Sequence, residues 1–173
     1  LPEVAGFKLW ALSSGLFWVG LTALMAGEVI PARNVRNYKA PVVLAAFVVA
    51  EGVFFLAGPE RLALMEAALR AGLMLIVGLI LLVGGRIIPN FTLNWLRQNR
   101  PGIRANLPAF DGFDQATVLI YLAFAAGFVV RPGAQATGWL GLAAGLAQAL
   151  RLSRWQGWRA GREPLLWILH LGF

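Results

Sequence analysis

The chain is expected to be all-α: a polytopic transmembrane helix bundle with five full spans and a truncated sixth. Three observations lead there. Hydrophobic residues make up 59% of the 173 residues and charged residues only 13%, a membrane composition rather than a soluble one. Apolar runs near the ~20 residues that cross a ~30 Å hydrocarbon layer recur along the chain. Proline, glycine and short basic stretches separate the runs. The formal charge of +7 does not point to nucleic acid, because the basic residues are parcelled among short loops between apolar spans. There is no cysteine, which excludes disulfides, thiolate metal sites and thiolate haem ligation.

The first span is expected from Val4 to Ile30, where Pro31 ends it. The second runs from Ala40 to Ala57 and is closed by Gly58-Pro59. The third starts near Glu60 and ends near Gly85, with Pro89 as the stop just beyond. The fourth covers Asp114 to Val130 and is closed by Arg131-Pro132-Gly133. The fifth covers Ala136 to Leu152. The sixth opens at Glu163-Pro164, where proline suits the first turn and an acid complements the helix dipole. Ten residues from Pro164 would supply ~15 Å of helix, so this helix is expected to be cut near mid-bilayer. Residues 1–173 are accordingly expected to form one membrane domain, about half of a larger protein.

Charge sets the expected orientation. Arg33, Arg36 and Lys39 follow span one; Arg86, Arg97, Arg100 and Arg104 follow span three; Arg151, Arg154, Arg159 and Arg162 follow span five. Alternate-side counting puts these eleven of the fifteen basic residues on one face, which is the cytoplasmic face by the positive-inside rule. Trp10 and Trp139 then fall near outer ends, and Trp95, Trp155 and Trp158 near inner ends, as interfacial anchors. The stretch 86–113 is expected to be a cytoplasmic loop, with an interfacial helix over Asn90–Gln98. Asn90-Phe91-Thr92 matches a glycosylation acceptor, and on that face the match is accidental.

His170 is the leading site residue. It is the sole histidine, and an imidazole inside a membrane helix is costly enough to suggest a role. It suits haem iron or copper, or a proton relay; the bland alternative is a histidine bonded to a neighbouring helix. Glu51, near the middle of span two, is a candidate proton carrier or metal ligand, or a protonated acid at a helix interface. Gly84-Gly85-Arg86 allows close backbone approach beside a guanidinium that could clamp a carboxylate such as a haem propionate; positive-inside anchoring is the simpler account. Glu66 and Arg70, one helical turn apart, read as a local pair. Gly141 and Gly145 lie in a small-residue stripe on span five, a packing face that serves inside the chain or in a homo-oligomer.

Two stretches resemble the NnrS family, bacterial multi-pass membrane proteins linked to nitric oxide. One is Gly84-Gly85-Arg86-Ile87-Ile88-Pro89-Asn90-Phe91-Thr92-Leu93-Asn94. The other is Arg154-Trp155-Gln156-Gly157-Trp158-Arg159, then Arg162-Glu163-Pro164-Leu165-Leu166-Trp167, then His170-Leu171-Gly172-Phe173. The resemblance implies a roughly twelve-span bacterial inner-membrane protein that holds haem and copper and serves response and resistance to nitric oxide and nitrosative stress. It implies His170, with Arg86, Gly84 and Gly85, on the cofactor side, and His170 and Glu51 as metal-ligating residues. The remaining helices of the full-length chain and the lipid bilayer are the implied partners. Where the family often carries Leu-Phe-His, this chain has Val53-Phe54-Phe55. The alternative function, read from the residues, is half of a proton-coupled secondary transporter using Glu51 and His170. No reaction follows from the residues.

Overall fold

The computed structural model describes residues 2–33, 37–99, 107 and 110–173, with side chains from Leu9 onward except that of Pro59. Arg36, Arg100 and Arg104 lie outside the described residues. The described residues form six α-helices: α1 (Pro2–Val29), α2 (Lys39–Ala57), α3 (Leu62–Asn99), α4 (Gly112–Val130), α5 (Gln135–Arg154) and α6 (Pro164–Leu171). The expected all-α class holds, and the helix ends near Pro31, Gly58-Pro59, Pro132 and Pro164 match the proline and glycine signals closely. At Gly58, φ is 65°, a backbone conformation that glycine adopts without steric cost, and Pro59 begins the short 3-10 turn that follows.

Among the described residues four helices are long and apolar enough to cross a membrane: α1 from Leu9, α2, α3 and α4. Their outer faces carry large exposed apolar side chains, such as Leu24, Leu56, Leu119 and Val130. Such surface is stable against lipid and would be costly in water. The fifth expected span, α5, has the length of a span at 20 residues. It is less apolar than the other four because it carries Gln135, Gln148, Arg151 and Arg154. Only eight residues, Pro164–Leu171, form α6.

Pro89 does not stop span three. The helix continues through it to Asn99, 38 residues in all, or ~57 Å at the helical rise. Residues 86–99 of the expected loop are therefore helical. A proline inside a helix removes one backbone hydrogen bond, here the one that the Gly85 carbonyl would accept. Neighbouring helices and side-chain donors make such a loss tolerable in membrane helices. Around it Asn90 Nδ2 donates to the Arg86 carbonyl at 2.7 Å, and Thr92 Oγ1 to the Ile88 carbonyl at 2.9 Å. Thr92 is fully buried, which supports the reading of the glycosylation match as accidental.

The chain divides into two compact units, Leu1–Leu79 and Ile80–Phe173. In the first, α1 and α2 pack antiparallel through aromatic pairs. Trp18 stacks on Phe47 with ring centroids 4.6 Å apart, and Trp10 meets Phe55 edge-on at 5.6 Å. Such contacts add stabilisation beyond the apolar area they bury. In the second unit, α4 and α5 form an antiparallel hairpin with small-residue notches. A Cβ at Gly141 would lie 2.9 Å from the Phe124 ring, and one at Gly127 would lie 3.0 Å from Thr137 Oγ1. Gly141 is thus covered within the chain, whereas Gly145 has nothing within 4 Å.

Candidate functional site

The polar interior of the second unit is built where α4 begins and α5 ends. Asp111 caps α4: its carboxylate accepts from the Asp114 backbone N–H at 3.1 Å, and the Asp111 N–H donates back to Asp114 Oδ2 at 3.2 Å. This reciprocal capping box satisfies two donors that a helix start otherwise leaves open. The same two carboxylates receive two arginines from the end of α5. Arg151 Nε donates to Asp114 Oδ1 at 2.6 Å, with side chains only 4% and 7% exposed. Arg154 forks onto Asp111 with both terminal nitrogens, and one of them lies 3.6 Å from Asp114 Oδ2. The guanidiniums also cover rings, Arg151 over Trp155 at 5.3 Å and Arg154 over Phe113 at 4.8 Å.

The Arg154 guanidinium hydrogen-bonded to Asp111 holds that carboxyl well below the usual carboxylate range, and the Asp114 backbone N–H adds to the effect. A lowered folded-state pKa contributes stability above the unfolded value of about 4 and loses it as pH falls toward the folded one. Asp111→Asn should therefore melt below the native protein by a constant margin from neutral pH to about pH 4. The margin should close only at lower pH. Thermal unfolding of both proteins across that range checks this, and a margin already gone by about pH 5 would contradict it.

The glycine pair of α3 faces this network. A Cβ at Gly85 would lie 2.5 Å from Arg151 Nη2, and a Cβ at Gly84 would lie 2.7 Å from the Phe173 ring. Phe173 in turn meets Trp155 edge-on at 4.8 Å. The guanidinium against the glycines is thus that of Arg151. Arg86 itself is exposed on α3.

His170 stands in the last turn of α6. Its Nδ1 lies 2.8 Å from the Leu166 carbonyl oxygen. A carbonyl only accepts, so Nδ1 carries the hydrogen, and in the neutral ring Nε2 presents a lone pair. Nε2 is buried without a hydrogen-bond partner. The ring rests on Gly157, in the 3-10 turn Gly157–Ala160 after α5; a Cβ there would lie 2.6 Å from Nε2. Gln156, just before it, adopts a left-handed conformation at φ 54°. Other buried polar atoms without partners among the described residues are Arg151 Nη1, Gln156 Oε1 and both amide atoms of Gln148.

Glu51 lies in the first unit. It lines a groove of about 420 Å³ together with Ser14, aromatic rings and aliphatic side chains of α1, α2 and α3. Among the described residues no second carboxylate and no imidazole lines that groove. Among the described residues no group of three or more His, Cys, Asp or Glu is placed to hold a metal ion. Glu66 and Arg70 pair along α3 at 3.4 Å, as their spacing predicted.

The residues that spacing alone did not reveal are Asp111, Asp114, Arg151, Gln148 and Gln156. One signal was present: Asp111-Gly-Phe-Asp114 ahead of an apolar run has the spacing of a capping box. The Arg151–Asp114 pair, 37 residues apart in sequence, had no such local signal.

Apolar helix exteriors, lengths that match a bilayer and a cluster of ion pairs at helix ends define a helical multi-pass membrane protein. Within that class the comparison with known families is specific. A family model described as NnrS protein matches residues 2–173, and the chain belongs to the NnrS family. No curated protein and no solved structure matches it.

Proposed function

We propose that this protein is a haem-binding membrane protein of the bacterial nitric oxide response, in which His170 would hold the haem iron. The observation that carries the reading is the state of the imidazole. Nδ1 is tied to the Leu166 carbonyl at 2.8 Å, while Nε2 is buried with no partner. Metal-ligating histidines are oriented in this way, with one ring nitrogen anchored and the other left as a donor. Bound haem would supply an iron centre able to take a diatomic ligand or an electron. The chain's own part is to set the ring's tautomer through Leu166, to seat the ring on Gly157 and to keep water from Nε2. On the same reading Arg86, at the Gly84-Gly85 pair, is the residue for a haem propionate, and the basic loops face the cytoplasm of the inner membrane.

Copper fits these residues less well. His170 is the sole imidazole and there is no thiolate, and copper sites draw on several such donors. Glu51 has no ligating neighbour in its groove beyond the Ser14 hydroxyl. No step is assigned to copper here.

The test is optical. Full-length protein purified with haem should show a Soret band that shifts or weakens in His170→Ala, with haem content reduced. A spectrum and iron content identical to the native protein's would remove His170 from the site.

A further inference from the structure

The groove of the first unit has a composition that the haem reading does not use. Five aromatic rings line it: Trp10 and Trp18 from α1, and Phe47, Phe54 and Phe55 from α2. Aliphatic residues of α3, among them Leu69, Leu73 and Ile76, all largely exposed, line the third side of this open groove. Two lining residues have polar side chains, Ser14 and Glu51. Glu51 is half-buried within α2, inside a helix apolar enough to span the membrane. Its carboxylate has no hydrogen bond or ion pair among the described residues. A carboxylate at such a position ordinarily faces a partner or a cavity, and here it faces a cavity.

The chemistry of the lining selects the occupant. An anion would be repelled by the carboxylate. A hard metal cation would need several oxygen ligands, and the groove offers one carboxylate and one hydroxyl. A wholly apolar ligand would desolvate the carboxylate and give it no partner. An organic cation with an apolar body satisfies every wall at once. Its charge pairs with Glu51 and the aromatic faces, and its body fills the aliphatic side. Aromatic rings attract a cation through their quadrupoles. A volume of about 420 Å³ lies within the ordinary range for small-molecule pockets.

We propose that the α1–α2–α3 groove is a binding site for a small organic cation of the quaternary or protonated amine class, with Glu51 as counter-ion and Trp10 and Trp18 as its aromatic wall. No residue that lines this groove belongs to the setting of His170.

The experiment uses full-length protein in a non-ionic detergent, titrated calorimetrically with phenyltrimethylammonium. Its neutral isostere, tert-butylbenzene, serves as the comparison, with empty micelles subtracted. The expected result is saturable binding of the cation. Glu51→Gln should weaken it at least tenfold, and Trp18→Leu severalfold. The neutral isostere should bind more weakly than the cation and should lose no affinity in Glu51→Gln. Equal binding of the two probes, a cation affinity unchanged in Glu51→Gln, or no saturable binding would each overturn the proposal. Cation binding is measured in protein with and without bound haem and should be equal in both. Loss of cation binding and loss of the His170 reading are therefore separately visible.

Discussion

Asp114→Ala is expected to destabilise the second unit by about 3–5 kcal/mol, the usual cost of removing one partner from a buried ion pair. The Arg151 guanidinium would remain between Gly85 and Trp155 with its charge unmatched. Because the two side chains are only 4% and 7% exposed, little solvent screening softens that cost. The loss would also take one half of the α4 capping box, since Asp111 N–H donates to Asp114 Oδ2. Asp114→Asn should lie between, keeping hydrogen-bonding capacity without the charge. The pair replacement Asp114→Leu with Arg151→Met should recover much of the loss, because two matched apolar side chains leave no orphaned charge. Denaturant unfolding in detergent measures all three. A loss under about 1 kcal/mol for Asp114→Ala would mean that the pair is solvated rather than buried.

The second large effect belongs to Gly157. A methyl group there would fall 2.6 Å from His170 Nε2 and 2.8 Å from its Cγ. One side of the contact has to move, and overpacking of this kind costs about 1–3 kcal/mol. The Nδ1 bond to Leu166 holds the ring on its own helix, so the strain should appear as a reoriented imidazole. Gly157→Ala is expected to melt lower than the native protein and to reproduce much of the spectral change of His170→Ala in haem-loaded protein. Gly138→Ala is the control, because nothing lies within 4 Å of its added Cβ and alanine favours a helix over glycine. If Gly157→Ala behaves like that control, the ring does not rest where the structure puts it.

These two predictions rest on contacts that differ in how visible they were from residues alone. The spans were legible because a bilayer imposes a long apolar run on each crossing helix, and Pro31, Gly58-Pro59 and Pro132 punctuate those runs. The Glu66–Arg70 pair was legible because it is a matter of helical spacing within one element. Pro89 misled, because a proline is a stop in water but can be carried inside a membrane helix. The arginines at the end of α5 were counted for orientation, and two of them turned out to serve as counter-ions for the start of α4.

Family membership, the all-α class and the single histidine were therefore already present in the order of residues, since each depends on composition, runs or a local motif. The identity of the guanidinium that fills the Gly85 notch, the burial of Nε2 against Gly157 and the aromatic groove around Glu51 were not. Each is a contact between side chains far apart in sequence, and a one-dimensional pattern carries no term for which helices meet. Close packing settles it: the small residues at 84, 85 and 157 leave space that side chains from elsewhere in the chain must fill.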